Sequence, residues 1–474
     1  VLNQDPDLLL IYAGHNEYYG ALGAASKQMP GWLTRLNLNL QNLKTYQLLE
    51  EFFSSIYSVL SFGEKEAGSK TLMAAMAGEQ LVELNSEKYK AGIAQFESNI
   101  DHILSKSREK KVEVIWGKLV SNLKQKPLDS ILKSESEALK IFNEGEKEFK
   151  DENLLIAKNL FQKAKETDAL RFRAPAQINS TLSKAAEKYD FPIADVEQIF
   201  MRQSNHNITG YSLLVDHLHP NINGYYLTAN IFFNKMIDNG LLPKENKLDP
   251  YKVDALLKED FPFTDLDRSF SDINIEILLN SYPFKDDDPR SIVNKIELAN
   301  YSDSLAMNII TNKISWENAH LKMAEYFLKR KKFKRFYREM NALIENKPFD
   351  KFPYIEAAEK LMAAGQLNIA ERVLQKMHRR IPNEYSSKNL GRIKLNNKNF
   401  PAAIFFYEEA VKYNTNNPDL FFNLSNAYFF SGKIEKAIKA VKRTIELKPE
   451  YPNARKILEG LRKAGSDRAE DGGE

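Results

Sequence analysis

Residues Asn417 to Pro449 read NPDLFFNLSNAYFFSGKIEKAIKAVKRTIELKP, a helix-forming stretch closed by a proline. The same layout recurs upstream. Pro348, Pro382 and Pro449 stand 34 and 67 residues apart, and unit starts at Glu317, Lys351, Glu384 and Pro418 are separated by 34, 33 and 34 residues. Fixed offsets then carry like residues. Position 8 of the units holds Ala324, Ala358, Gly391 and Ser425, position 20 holds Phe336, Ala370, Ala403 and Ala437, and position 32 holds Pro348, Pro382, Thr415 and Pro449. Small side chains are needed where two antiparallel helices cross closely, and a proline ends the second helix because it cannot continue it.

A period near 34 residues with this pattern resembles the tetratricopeptide repeat. The last unit fits it best and the first least, because Phe336 occupies a position that is usually small. Residues 316–464 are therefore expected to form repeats, with Pro452 to Lys463 as capping helix and a polar, disordered tail over 465–474. The same template fits once more from Ala138, where Gly145, Ala157, Phe161 and Ala164 fall on the small and apolar positions.

The first half of the chain has a different rhythm. Short apolar runs at Asp7–Ala13 (DLLLIYA), Val112–Trp116 (VEVIW) and Phe191–Val196 (FPIADV) suit strands buried on both faces of a parallel sheet. Helical stretches precede the second and third runs, at Tyr89–Lys106 and Ala176–Lys188. This alternation predicts an α/β layered domain over 1–242, with helical insertions at 26–83 and 128–170 and a connector at 243–315.

Two motifs in this part carry chemistry. Gly14-His15-Asn16-Glu17 directly follows the first strand, and Asp216-His217-Leu218-His219-Pro220-Asn221 precedes an apolar helix at Tyr225–Ile237. An Asp three residues before a His can reach its Nδ1–H, fix the tautomer and stabilise the imidazolium. An Asn at the carboxyl end of a parallel strand lies where ligands of open α/β sheets bind, and its amide can donate to an oxyanion, a contribution of about 3–4 kcal/mol. Each residue also has a plainer use. Asn16 can cap a helix, His219 can be a turn residue before Pro220, and His217 reads as structural or solvent-facing. His102, His206, His320 and His378 are scattered and read as structural. His217 and His219, two apart with no further ligand cluster, do not make a metal site. The basic run from Lys329 to Arg338 reads as a solvated face.

Taken in order, the two motifs resemble the third and fifth sequence blocks of SGNH (GDSL) hydrolases, with Glu17 where Asp is usual. The likeness is closer to bacterial SGNH-type proteins that carry tetratricopeptide repeats, which also show an LRFRAP-like stretch, here Leu170–Pro175. The resemblance implies a flavodoxin-like three-layer fold and a serine hydrolase acting on an ester or acetyl group. It makes His219 the general base and then acid, Asp216 its orienting carboxylate and Asn16 an oxyanion donor, with Gly14 and His15 beside the site. It calls for no cofactor. It also implies an envelope location for the longer protein, membrane-anchored or exported. The family's Gly-Asp-Ser block occurs nowhere in the 474 residues, and the nearest likeness, Gly465-Ser466-Asp467, is in the wrong order and place. Only thirteen residues precede Gly14, and the opening at Val1 followed by a buried-strand pattern at Leu8 suggests a start inside a domain. The chain by itself is thus expected to lack the nucleophile and to be inactive as an esterase.

Composition narrows the alternatives. A formal charge of +3, from 67 basic and 64 acidic residues, gives no reason to invoke nucleic acid. The absence of cysteine excludes disulfides, thiolate metal sites and thiol nucleophiles. No apolar run approaches the ~20 residues of a membrane helix. The alternatives to hydrolysis are a non-enzymatic repeat scaffold with a degenerate hydrolase domain, or an O-acyltransferase using the same residues. In every case the repeats are expected to offer a surface for a protein or peptide partner.

Overall fold

A computed structural model of the chain describes residues 1–19, 81–133, 135–242, 260–281, 284–285 and 289–471. The expected helical insertion at 26–83 lies, up to residue 80, outside the described residues. The chain divides into two units, one of residues 1–248 with 274–297, the other of 249–273 with 298–474. The expected connector at 243–315 is thus shared between the units.

The first unit runs β1 (Leu8–Ile11), α1 (Glu87–Glu109), β2 (Glu113–Gly117), α2 (Glu137–Lys150), α3 (Leu154–Thr167), α4 (Ala176–Tyr189), β3 (Ile193–Ala194), α5 (Val196–Gln203) and α6 (Ile222–Asp238). The strands are parallel in the order β1-β2-β3, with Leu8 opposite Glu113 and Trp116 opposite Ile193. Because successive strand residues point to opposite faces, each strand feeds two cores. Leu9, Ile11, Val114 and Trp116 meet Phe96, Ile100 and Leu104 of α1 and Ile178, Leu182 and Ala185 of α4. Leu8, Ile115 and Ala194 meet Phe200 of α5 and Ile231 and Phe232 of α6. Helices therefore cover both faces of a small sheet.

Two corrections follow. The flavodoxin-like sheet that the resemblance implies is not reached, since the described residues hold three strands and are mostly helical. The third strand is only two residues long, because Asp195 leaves it to cap α5, its carboxylate accepting the Gln198 N–H at 3.1 Å.

The α2–α3 hairpin has the local geometry of the repeats. Glu152 between its helices is left-handed (φ 62°), and a Cβ added to Gly145 would stand 3.0 Å from the Phe161 ring.

The second unit contains the start of α7 (Asp265–Leu279), which Thr264 and Asp267 open as a reciprocal cap, Thr264 Oγ1 accepting the Asp267 N–H and Asp267 Oδ2 the Thr264 N–H. The short α8 (Pro289–Val293) belongs to the first unit, and α9 (Tyr301–Ile310) to the second. Four helix pairs follow: α10 (Trp316–Lys329) with α11 (Phe333–Asn346), α12 (Lys351–Ala363) with α13 (Leu367–Arg380), α14 (Glu384–Asn396) with α15 (Phe400–Tyr413), and α16 (Pro418–Phe430) with α17 (Ile434–Leu447). Ala324, Ala358, Gly391 and Ser425 are all buried at the crossings, as are Phe336, Ala370, Ala403 and Ala437. The turn between the two helices of every pair is made by one left-handed residue, Lys331, Gly365, Lys398 and Gly432 in succession. The last helix, α18, runs Ala454–Asp471, so most of the tail expected to be disordered is helical. Its Ala, Arg, Lys and Glu residues are good helix formers, and that outweighs the polar composition.

Candidate functional site

The site grows from one tight loop. Strand-like backbone on either side of it closes through the Val215 N–H on His219 O (2.8 Å) and the Asn221 N–H on Leu213 O (2.9 Å), with Leu214 bridging to Pro220. Asp216 sits at its base, 1% exposed, and Oδ1 of its carboxylate accepts the N–H groups of Leu218 (2.8 Å) and His219 (2.7 Å). The other oxygen takes His219 Nδ1 at 2.7 Å. Asp216 thus builds the turn and orients the imidazole at once. Asn221 then caps α6 by accepting the Gly224 N–H at 3.0 Å. Gly224 is there because any Cβ would lie 2.3 Å from Leu213 O.

The electrostatics separate the histidines. The Asp216 hydrogen bond is the largest influence on His219 and holds its pKa above the ordinary value, while its ring is 55% exposed. Burial pushes the Asp216 carboxyl up, but the hydrogen bond to His219, the adjacent His217 ring and the two N–H donors overcome this and bring it down to about 2. His217 is 1% exposed, packed edge-on to Phe172 and His219, and burial holds its pKa down to about 3. It is buried and neutral, not solvent-facing.

The GHNE loop comes to the same place. Gly14 takes φ 140°, a backbone angle that disfavours other residues, and its α-carbon is packed so closely by Leu119, Phe96 and Ile178 that a Cβ would meet them at 2.9–3.3 Å. His15 accepts the Ala174 N–H on Nδ1 at 3.1 Å, which assigns its proton to Nε2. Burial, then electrostatic contributions from His217, Lys165 and His219, push the His15 pKa down to about 3, so His15 lies within electrostatic reach of both later histidines. Asn16 is exposed in the turn. Glu17, the departure from the family pattern, is raised to about 7 by burial. Asp216, His217, His219 and His15 are therefore gathered together, and Asn16 stands one residue further along the loop.

Three participants went unrecognised in the sequence. Asn122, fully buried, donates Nδ2 to Asp216 O (2.8 Å) and its N–H to His217 O (2.9 Å). Arg173 and Asp168 form a buried pair at 2.8 Å directly behind it. Arg173 was in view within the LRFRAP stretch; Asn122 and Asp168 have no pattern of their own. Among the described residues no group of His, Asp and Glu can hold a metal ion. Likewise no described helix is long and apolar enough to cross a membrane.

The chemistry available is that of a polarised, half-exposed imidazole with an oriented carboxylate behind it: proton transfer at His219 Nε2.

Comparison with known proteins bears on the other unit. A tetratricopeptide-repeat family model matches residues 394–463. Among solved structures, the chain is similar to MamA from Desulfovibrio magneticus (20% identity over 32% of this chain and 88% of that one, TM-score 0.29). It is also similar to the first repeat domain of human RPAP3 (23% identity, 25% and 93% coverage, TM-score 0.24). Another RPAP3 structure, the first repeat domain of Spaghetti with an HSP90 peptide bound, gives 24% identity, 24% and 90% coverage and TM-score 0.23. No curated protein matches the chain. The family match falls wholly within the repeats, so the hydrolase likeness of the first unit rests on its motifs alone.

Proposed function

We propose that this is an interaction protein whose tetratricopeptide-like repeats receive an extended segment of a partner. The observation that carries this is the row of four regular helix pairs. Between α9 and α10, the first helix of that row, lies a concavity of about 460 Å³, lined by Leu305, Asn308, Asn318, Leu321, Lys322 and Glu325 among others. Apolar side chains mixed with amide, ammonium and carboxylate groups suit a peptide backbone carrying mixed side chains. Peptides selected from a random library against the whole chain should lose binding in Asn318→Ala and Lys322→Glu variants. Failure to enrich any peptide, or full retention by both variants, refutes the proposal.

The 2.7 Å contact of Asp216 with His219 favours a second reading, in which the first unit is the base half of an SGNH-type acyl-transfer site. His219 takes the proton of a serine and returns it to the leaving group, Asp216 holds the imidazolium, and Asn16 donates to the developing oxyanion. This reading requires a serine nucleophile, which a Gly-Asp-Ser block beyond these 474 residues would supply. Hydrolysis and O-acyl transfer share the same acyl-enzyme. A longer form carrying that block should be labelled by a fluorophosphonate on serine, and His219→Ala should abolish the labelling. Absence of labelling, or ester turnover by the present chain that His219→Ala removes, contradicts this reading.

A further inference from the structure

The segment Leu170–Pro175 has no role in either reading above, yet it touches both loops of the site. The Ala174 N–H donates to His15 Nδ1 at 3.1 Å, and the Phe172 ring packs edge-on against His217 with centroids 5.9 Å apart. Between these two residues lies Arg173, which is 4% exposed. Its Nη1 donates to the main-chain carbonyls of Asn122 (3.0 Å) and Gln125 (3.1 Å), and its Nη2 donates to Asp168 Oδ2 (2.8 Å). Asp168 is itself fixed, accepting the N–H groups of Leu128, Asp129 and Leu170. Asn122 passes the constraint on, through its side-chain amide to Asp216 O and its N–H to His217 O.

We propose that Arg173 is a positioning residue for the Asp216–His219 pair, acting through Asn122 as a rigid strut from the anchored Asp168 carboxylate to the loop that bears both residues. The planar fork of a guanidinium is what the geometry requires. It holds one carboxylate and two carbonyls in fixed directions, which a single ammonium group cannot reproduce. The inference rests on the reading of Asp216 and His219 as a proton-handling pair. It does not depend on ester turnover, so an inactive protein leaves it open to test.

The test is the titration of His219, followed by the ring signals of the whole chain in nuclear magnetic resonance. Arg173→Lys keeps the positive charge but loses the fork. Charge alone therefore leaves His219 unmoved, whereas loss of position weakens its bond to Asp216 and shifts its midpoint downward. Asn122→Ala removes the next link and should shift it the same way. The titratable groups facing His219 are Asp216, His217 and His15, and all three are retained in both variants. Leu182→Ala is the control: it loosens a core on α4 without touching the loop and should leave the midpoint in place. Should Arg173→Lys fail to fold, Asn122→Ala decides alone. An unshifted midpoint in the folded variants, or an equal shift in Leu182→Ala, overturns the proposal.

Discussion

A histidine inside the repeat unit gives the sharpest energetic test. His320 is fully buried, with Nδ1 2.7 Å from Glu339 Oε2 and Nε2 3.2 Å from Asp267 Oδ1, and Asp267 Oδ1 also accepts the Trp316 indole N–H at 3.1 Å. Burial alone would lower the His320 pKa, but the hydrogen bonds and charges of Asp267 and Glu339 win and raise it from 6.5 to about 9. A group whose pKa is higher folded than unfolded binds its proton more tightly in the folded state. Its contribution is complete below pH 6.5, fades as pH rises, and is gone above about 9. A gap of about 2.5 pH units corresponds to roughly 3 kcal/mol at about 1.4 kcal/mol per unit. The reference is a His320→Gln, Glu339→Gln double variant, which keeps hydrogen-bonding groups, removes the titrating imidazole and the Glu339 carboxylate, and leaves Asp267 in place. Urea unfolding of the repeat unit, followed by Trp316 fluorescence, should show the wild-type advantage over that variant shrink by about 3 kcal/mol between pH 6 and pH 10. An advantage that is constant, or that grows with pH, refutes the assignment of His320 as a buried cation.

The helix crossings make further predictions. The smallest residue at position 8, Gly391, faces Tyr407 of α15, and a Cβ on Gly391 would stand 3.0 Å from three ring atoms. Gly391→Ala should therefore destabilise the repeats by about 1 kcal/mol despite its better helix propensity, and Tyr407→Leu in the same chain should relieve part of this in a double-mutant cycle. Lys331 and Lys398 take the left-handed turn angle that glycine takes at the two equivalent positions, φ 56° and 58° against 72° and 78°. Lys398→Gly should raise unfolding stability by about 0.5–1 kcal/mol, because the left-handed cost of a side chain exceeds the entropy of a glycine.

The repeats were legible because their geometry leaves a periodic mark: small residues at the crossings, prolines at the ends and helix pairs at a fixed spacing. The turn residue escaped notice, since two of its four positions hold Lys, and backbone angle left no trace in residue type there. The three strands were found because buried parallel strands read as apolar runs, but their ends were not. Asp195 at the foot of the FPIADV run leaves the sheet to cap α5, and sequence alone does not decide between strand and cap. At the site, Asp216 and His219 declared themselves by spacing. The buried supports did not. Asn122 reaches the loop from 94 residues away and Arg173 from 51 residues beyond Asn122, so no local pattern links them. His320 looked isolated for the same reason, its partners lying 19 and 53 residues distant.

The account of the first unit depends on two loops, far apart in sequence, placing three histidines of unequal character in one spot. A pH titration of all histidine ring signals, assigned by single substitutions, measures this directly. The account predicts that His219 titrates above 6.5, while His15 and His217 stay neutral down to about pH 3. Three histidines titrating together near the value of a free imidazole would contradict it.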